Sequence, residues 1–162
     1  MNWTSTVRTI IVCLILVVFH YTLRPLLAWR ASVDFLIVAL LLGSVRLRPG
    51  YAAVYGFFLG LVADSLGATG FGVAAFGMSL VGFAASWLKA VFFADNLALN
   101  GFFLFLGKWV FDLIFLIVGR GLHGAELAMQ IFVWSPLSAA VTAVAGVLAL
   151  SILRPLMEVR TQ

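Results

Sequence analysis

The sequence predicts an all-α integral membrane fold, a compact bundle of about six transmembrane helices, and three observations carry that expectation. The first is composition. Of 162 residues, 64% are hydrophobic and 10% charged, with a mean hydropathy of +1.18, whereas a soluble domain is about half apolar and about a quarter charged. Such a chain has too little polar surface to cover itself in water. The second is that apolar runs recur along the whole chain, near 7–23, 33–46, 51–66, 70–88, 97–119 and 127–153. A span needs about 20 residues, so the length allows five or six and residues 1–162 read as one transmembrane domain. The third is the placement of charge. The net charge is +4, and the basic residues stand singly at the ends of apolar runs, where orientation signals are expected. No basic patch is interleaved with aromatics, which argues against nucleic acid as a partner.

The first run follows Arg8 with Ile10–Phe19, a signal-like shape, but His20-Tyr21-Thr22-Leu23-Arg24-Pro25 offers no small-x-small cleavage site. It reads as an uncleaved first span. It contains the only cysteine, Cys13, which forms no internal disulfide or multi-thiolate metal site and reads as a small apolar side chain. The second run is short, starts at Asp34, and is separated from the third by Arg46-Leu47-Arg48-Pro49-Gly50. Only the turn Gly67-Ala68-Thr69-Gly70 divides the third run from the fourth. The sixth contains Pro136. Short or interrupted spans are tolerated where neighbouring helices cover the freed backbone groups; five spans are the alternative if the second and third form a less regular pair.

With a cytoplasmic N-terminus, Arg8, Arg46, Arg48, Lys89, Arg154 and Arg160 lie inside, and Arg24, Arg30 and Arg120 outside. Six against three favours both termini in the cytoplasm. Trp3, Trp29 and Trp87 fall near the expected interfaces, where indole rings are favoured.

Reactive groups are few. The only histidines, His20 and His123, are expected towards the outer interface, and no carboxylate stands at metal-motif spacing from either. No phosphate loop, HExxH or nucleophile elbow appears. Neither an enzyme nor a cofactor is indicated. Ionisable residues inside spans are the stronger signal, since each costs a few kcal/mol at mid-bilayer. The fifth span carries two in "GKWVFDLIF", Lys108 and Asp112. Four residues apart, they share a helix face and can neutralise each other, or one of them can meet another helix or a partner protein. Asp64 lies at the outer end of the third span, close to the outward carboxylate Asp34. There it can cap the amides of the following turn, contact a ligand or partner, or carry a proton.

Ala52, Gly56, Gly60 and Asp64 recur every fourth residue and so form one stripe. Small residues at that spacing let helices approach closely, and Gly56-Phe57-Phe58-Leu59-Gly60 is a GxxxG. Ala74, Gly82 and Ser86 in the fourth span, and Ala139, Thr142, Ala143 and Gly146 in the sixth, have compatible spacing. The expected role of Gly56, Gly60, Asp64 and Gly72 is helix packing or partner contact.

These residues resemble the signature region of the MreD family of bacterial rod shape-determining membrane proteins. The family shows G-F-x-x-G-L-x-x-D-x-L, a small-residue turn, then (L/F)-G before an apolar span. Here Gly56-Phe57-Phe58-Leu59-Gly60-Leu61-Val62-Ala63-Asp64-Ser65-Leu66 is followed by Gly67 to Gly70 and Phe71-Gly72. Asp34-Phe35-Leu36 is similar to the family's P-D-L-L, with Val33 where the family usually has proline. The Arg46–Gly50 turn, Asn96-Leu97-Ala98-Leu99 and Asp112 also fit.

The resemblance implies a non-enzymatic, multi-pass inner-membrane component of the cell-elongation machinery. It implies MreC as direct partner, and through it MreB, RodA and a class B penicillin-binding transpeptidase, in regulating peptidoglycan synthesis. It also implies a fold like the substrate-binding subunit of energy-coupling-factor transporters, with an outward cavity. A small-molecule substrate-binding subunit of a transporter is therefore the second reading. The outer loops have few polar or aromatic residues to grip a water-soluble vitamin, which favours the first. A site for a lipid-linked cell-wall precursor is compatible with it.

Overall fold

A computed structural model describes residues 3–23, 33–66, 71–92, 97–119 and 125–157. Among them the regular elements are all helices: α1 (Trp3–Leu23), α2 (Phe35–Ser44), α3 (Pro49–Leu66), α4 (Val73–Phe92) and α5 (Leu97–Gly119). A last rod follows, formed by α6 (Ala125–Met129), a π-helical turn (Gln130–Trp134) and α7 (Ser135–Met157). The described residues are thus helical, in six rods. Two helical stretches, Ala98–Gly119 and Glu126–Ala149, are long and apolar enough to cross a membrane, while Ile10–Thr22, Phe35–Ser44 and Val73–Leu88 are shorter apolar stretches.

The faces turned away from the core are apolar. Ile11, Leu14 and Val18 on α1, Val54 and Phe58 on α3, Phe76, Leu80, Phe83 and Trp87 on α4, and Ile117 on α5 are all exposed. In water such a surface would aggregate; against lipid it is the expected outer coat.

At the centre stands α2. Leu36 to Ser44 are all buried, and α2 packs against α1, α3, α4, α5 and α7. A helix apolar on every side is what full enclosure requires. At ten residues it is about 15 Å long, half the thickness of a hydrocarbon core, and shorter still than the short run 33–46 that the sequence shows. Its limits have local causes. Asp34 starts it by accepting the Leu36 and Ile37 amides, and the turn to α3 ends it, with Pro49 at the first helical position, where no amide is missed.

Helices α3 and α4 form the closest pair. A Cβ on Gly56 would strike the Met78 carbonyl, one on Gly60 the backbone of Ala74 and Ala75, and one on Gly82 the Ala52 carbonyl. The stripe Ala52–Gly56–Gly60–Asp64 therefore runs against α4 along its length, backbone to backbone.

The last rod changes register before Pro136. The Ser135 amide bonds to the Gln130 carbonyl, one residue further back than in an α-helix. The Ile131 carbonyl would next take the amide of residue 136, and proline has none. The Trp109 indole N–H of α5 donates to that carbonyl instead, at 3.4 Å. The π turn thus absorbs the proline, and a neighbouring helix supplies the missing donor.

Candidate functional site

Two carboxylates, Asp34 and Asp64, accept backbone amides at helix starts, at the end of the bundle where α1 and α3 finish. Asp64 closes the α3–α4 connection. Its Oδ2 accepts the Gly72 and Ala75 amides at 3.0 and 2.9 Å, and its Oδ1 the Ala74 amide at 3.0 Å. One side chain thereby satisfies three of the amide groups that a helix start leaves open, and its charge faces the positive end of the α4 dipole. Gly72 has φ +97°, a conformation glycine adopts without penalty, and this turns its amide onto Asp64. Asp64 itself is 4% exposed, consistent with a carboxylate whose oxygens are occupied. The preceding turn, 67–70, lies outside the described residues.

Asp34 does more than start α2. Its own amide donates to Thr142 Oγ1 of α7 at 3.1 Å. Its Oδ1 accepts from Leu36 and Ile37 at 3.2 and 3.4 Å and lies 3.4 Å from His20 Nδ1 of α1. Its Oδ2 receives Lys108 Nζ of α5 at 3.1 Å. Lys108 also donates to Asp112 Oδ1 at 2.6 Å, and its ammonium lies 5.3 Å from the Phe111 ring centre. Lys108 and Asp112 are thus a pair on one face of α5, extended by a third charge from α2 and an imidazole from α1. The side chains are 7% exposed for Lys108, 16% for each aspartate and 5% for His20. A cluster buried to this degree is held by mutual attraction and costs much to break.

The sequence-derived residues therefore divide into two sets. Gly56, Gly60, Asp64 and Gly72 serve the α3–α4 pair; Asp34, Lys108 and Asp112 form one cluster. Asp34 and Asp64 bind different groups and do not share a site. His20 and Thr142 belong to the cluster, and nothing in their spacing pointed there, because they meet Asp34 only through the crossing of α1 and α7 over α2. His123 lies outside the described residues. Among the described residues no group of three His, Cys, Asp or Glu could hold a metal ion.

Three smaller contacts anchor α2 and the turn that follows it. Its Ala39 carbonyl accepts from Tyr55 Oη at 3.1 Å and from Cys13 Sγ at 3.8 Å. At the opposite end, Ser86 Oγ donates to the Leu47 carbonyl at 2.6 Å, tying the α2–α3 turn to α4.

Compared with known families, residues 2–159 match the family model described as rod shape-determining protein MreD. No curated protein matches the chain, and no solved structure does.

Proposed function

The chain belongs to the MreD family of rod shape-determining proteins, and on that premise we propose that it is a non-enzymatic, multi-pass component of the bacterial inner membrane that docks MreC. Through MreC it would be linked to MreB, RodA and a class B penicillin-binding transpeptidase, and would help regulate peptidoglycan synthesis during elongation. The observation that carries this reading is the family match over nearly the whole chain. A bundle with apolar outer faces and a buried charge cluster suits a role in assembly. Both termini would lie in the cytoplasm, and the helices would form one membrane-embedded unit.

The transporter-subunit reading rests on the likeness to energy-coupling-factor subunits that the family resemblance implies. A groove between α4 and α5, floored by Leu41 and Gly107 and walled by Val81, Ala85, Phe103 and Val110, is apolar throughout. That suits a lipid chain better than a water-soluble vitamin.

Detergent co-purification from native membranes tests the proposal, with mass spectrometry of bound proteins and small molecules. MreC in the eluate is the expected result. A vitamin without any elongation protein would replace the proposal with the transporter reading. Gly60→Leu, which pushes α3 from α4, should lose MreC or the folded protein; normal accumulation, MreC retention and rod shape together would refute the close-packing account.

A further inference from the structure

The buried cluster does not balance if its imidazole is neutral. With both carboxyls ionised, Asp34 and Asp112 carry two negative charges and Lys108 one positive, which among the described residues leaves one negative charge in excess, on side chains that are at most 16% exposed. An unbalanced charge away from water is strongly disfavoured. His20 faces that excess, with Nδ1 3.4 Å from Asp34 Oδ1. A proton on this imidazole gives two cations to two anions.

We propose that His20 is a proton-binding site that completes a neutral His20–Asp34–Lys108–Asp112 quartet, and that the proton helps hold α1 against the bundle. Among the described residues, the titratable and charged groups around it include Tyr21 on α1, whose ring meets the imidazole edge-on at 5.1 Å, Asp34 ahead of α2, and Lys108 and Asp112 on α5. From α7 comes the neutral hydroxyl of Thr142, and from α3 the Val62 carbonyl, which accepts from Tyr21 Oη at 3.4 Å. Arg24, four residues on in sequence, lies outside the described residues.

The link to α1 follows from where that helix is held. Its buried face is Val12, Cys13, Leu16 and His20, and it packs mainly on α2. Proton loss from His20 would convert a charge-assisted contact with Asp34 into a weaker one and leave the net negative charge beside it. Cys13, the only cysteine, is buried on the same face, so its reaction with a maleimide reports whether α1 is seated.

The full chain in lipid nanodiscs tests the proposal, in a His123→Gln background where His20 is the only imidazole. Nitrogen-15 spectra at neutral pH should show both ring nitrogens of His20 protonated. At that pH His20→Gln should label at Cys13 at least tenfold faster than the parent and unfold about 5 °C lower. Adding Asp112→Asn, which restores neutrality without touching residue 20, should recover most of both losses. On raising the pH, labelling normalised to the unfolded protein should increase in step with the His20 signal.

A neutral His20 ring at neutral pH would overturn the proposal, as would parent-like labelling of His20→Gln. So would a double variant worse than either single one. Arg24→Gln reproducing the loss while His20→Gln does not would assign the balancing charge to Arg24. If His20→Gln does not accumulate, the spectrum of the parent and the recovery in the double variant still decide.

Discussion

Asp64 and Lys108 do opposite kinds of work with one side chain each. Asp64 gathers three amides of a helix start, so Asp64→Ala leaves all three without their acceptor. The expected cost is about 1–2 kcal/mol, a melting point lower by roughly 2–8 °C. Asp64→Asn keeps one acceptor oxygen and should cost less; thermal unfolding followed by size-exclusion fluorescence separates the two. Asn equal to Ala would mean that charge at the α4 dipole, rather than hydrogen-bond count, sets the loss. Lys108 instead compensates charge. Lys108→Met takes from both buried carboxylates the ammonium they share and should cost about 3–5 kcal/mol, more than Asp112→Asn, which removes one anion and leaves Lys108 with Asp34. The reverse order in the same assay would show that Asp34 and Lys108 do not act as a pair.

Helix pairs carry the next set of effects. On α3, even one methyl at Gly60 meets the backbone of Ala74 and Ala75, and backbone yields less readily than a side chain. Gly60→Ala should therefore cost about 1–3 kcal/mol, whereas Gly50→Ala, with nothing within 4 Å of an added Cβ, should be close to neutral. Equal melting points for the two would refute the backbone contact. Around the π turn, Trp109 substitutes for the amide Pro136 lacks. Trp109→Phe should cost about 1 kcal/mol from the lost hydrogen bond in the parent, and distinctly less beside Pro136→Ala, where residue 136 supplies its own N–H. A double-mutant cycle measures that coupling, and strict additivity would deny it.

These pairs also mark what was legible in the sequence. The four-residue spacing of Ala52, Gly56, Gly60 and Asp64 revealed a stripe because helical periodicity places such residues on one face. Which backbone atoms of α4 it meets was not legible, since Met78 contributes its carbonyl and not its side chain. Pro136 was visible as an interruption, but its remedy lies on another helix.

In the whole bundle, enclosure decides more than hydropathy does. Composition and run spacing disclosed an all-helical membrane chain because both sum over many residues. The central position of α2 was hidden, because a helix buried in protein and one facing lipid share the same apolar composition. For the same reason the charge cluster was legible only as a pair on α5: its other members come from helices whose crossing no local pattern encodes. Outward, the molecule offers aromatic and aliphatic side chains, with Tyr51, Phe71, Trp87 and Phe132 each more than two-thirds exposed.

The enclosed α2 has a consequence for how the protein is made. A ten-residue helix is too short to rest across a bilayer alone, and its covering partners α5 and α7 emerge from the ribosome well after it does. On the multi-pass reading proposed above, the nascent chain would hold α2 in an interim place, against α1 or within the insertion machinery, until the later helices arrive. Truncated chains ending at Phe92 should be cleared by membrane proteases within minutes, while chains reaching Ser151 persist; pulse-chase labelling would show it. Equal lifetimes would mean that α1, α3 and α4 shelter α2 sufficiently on their own.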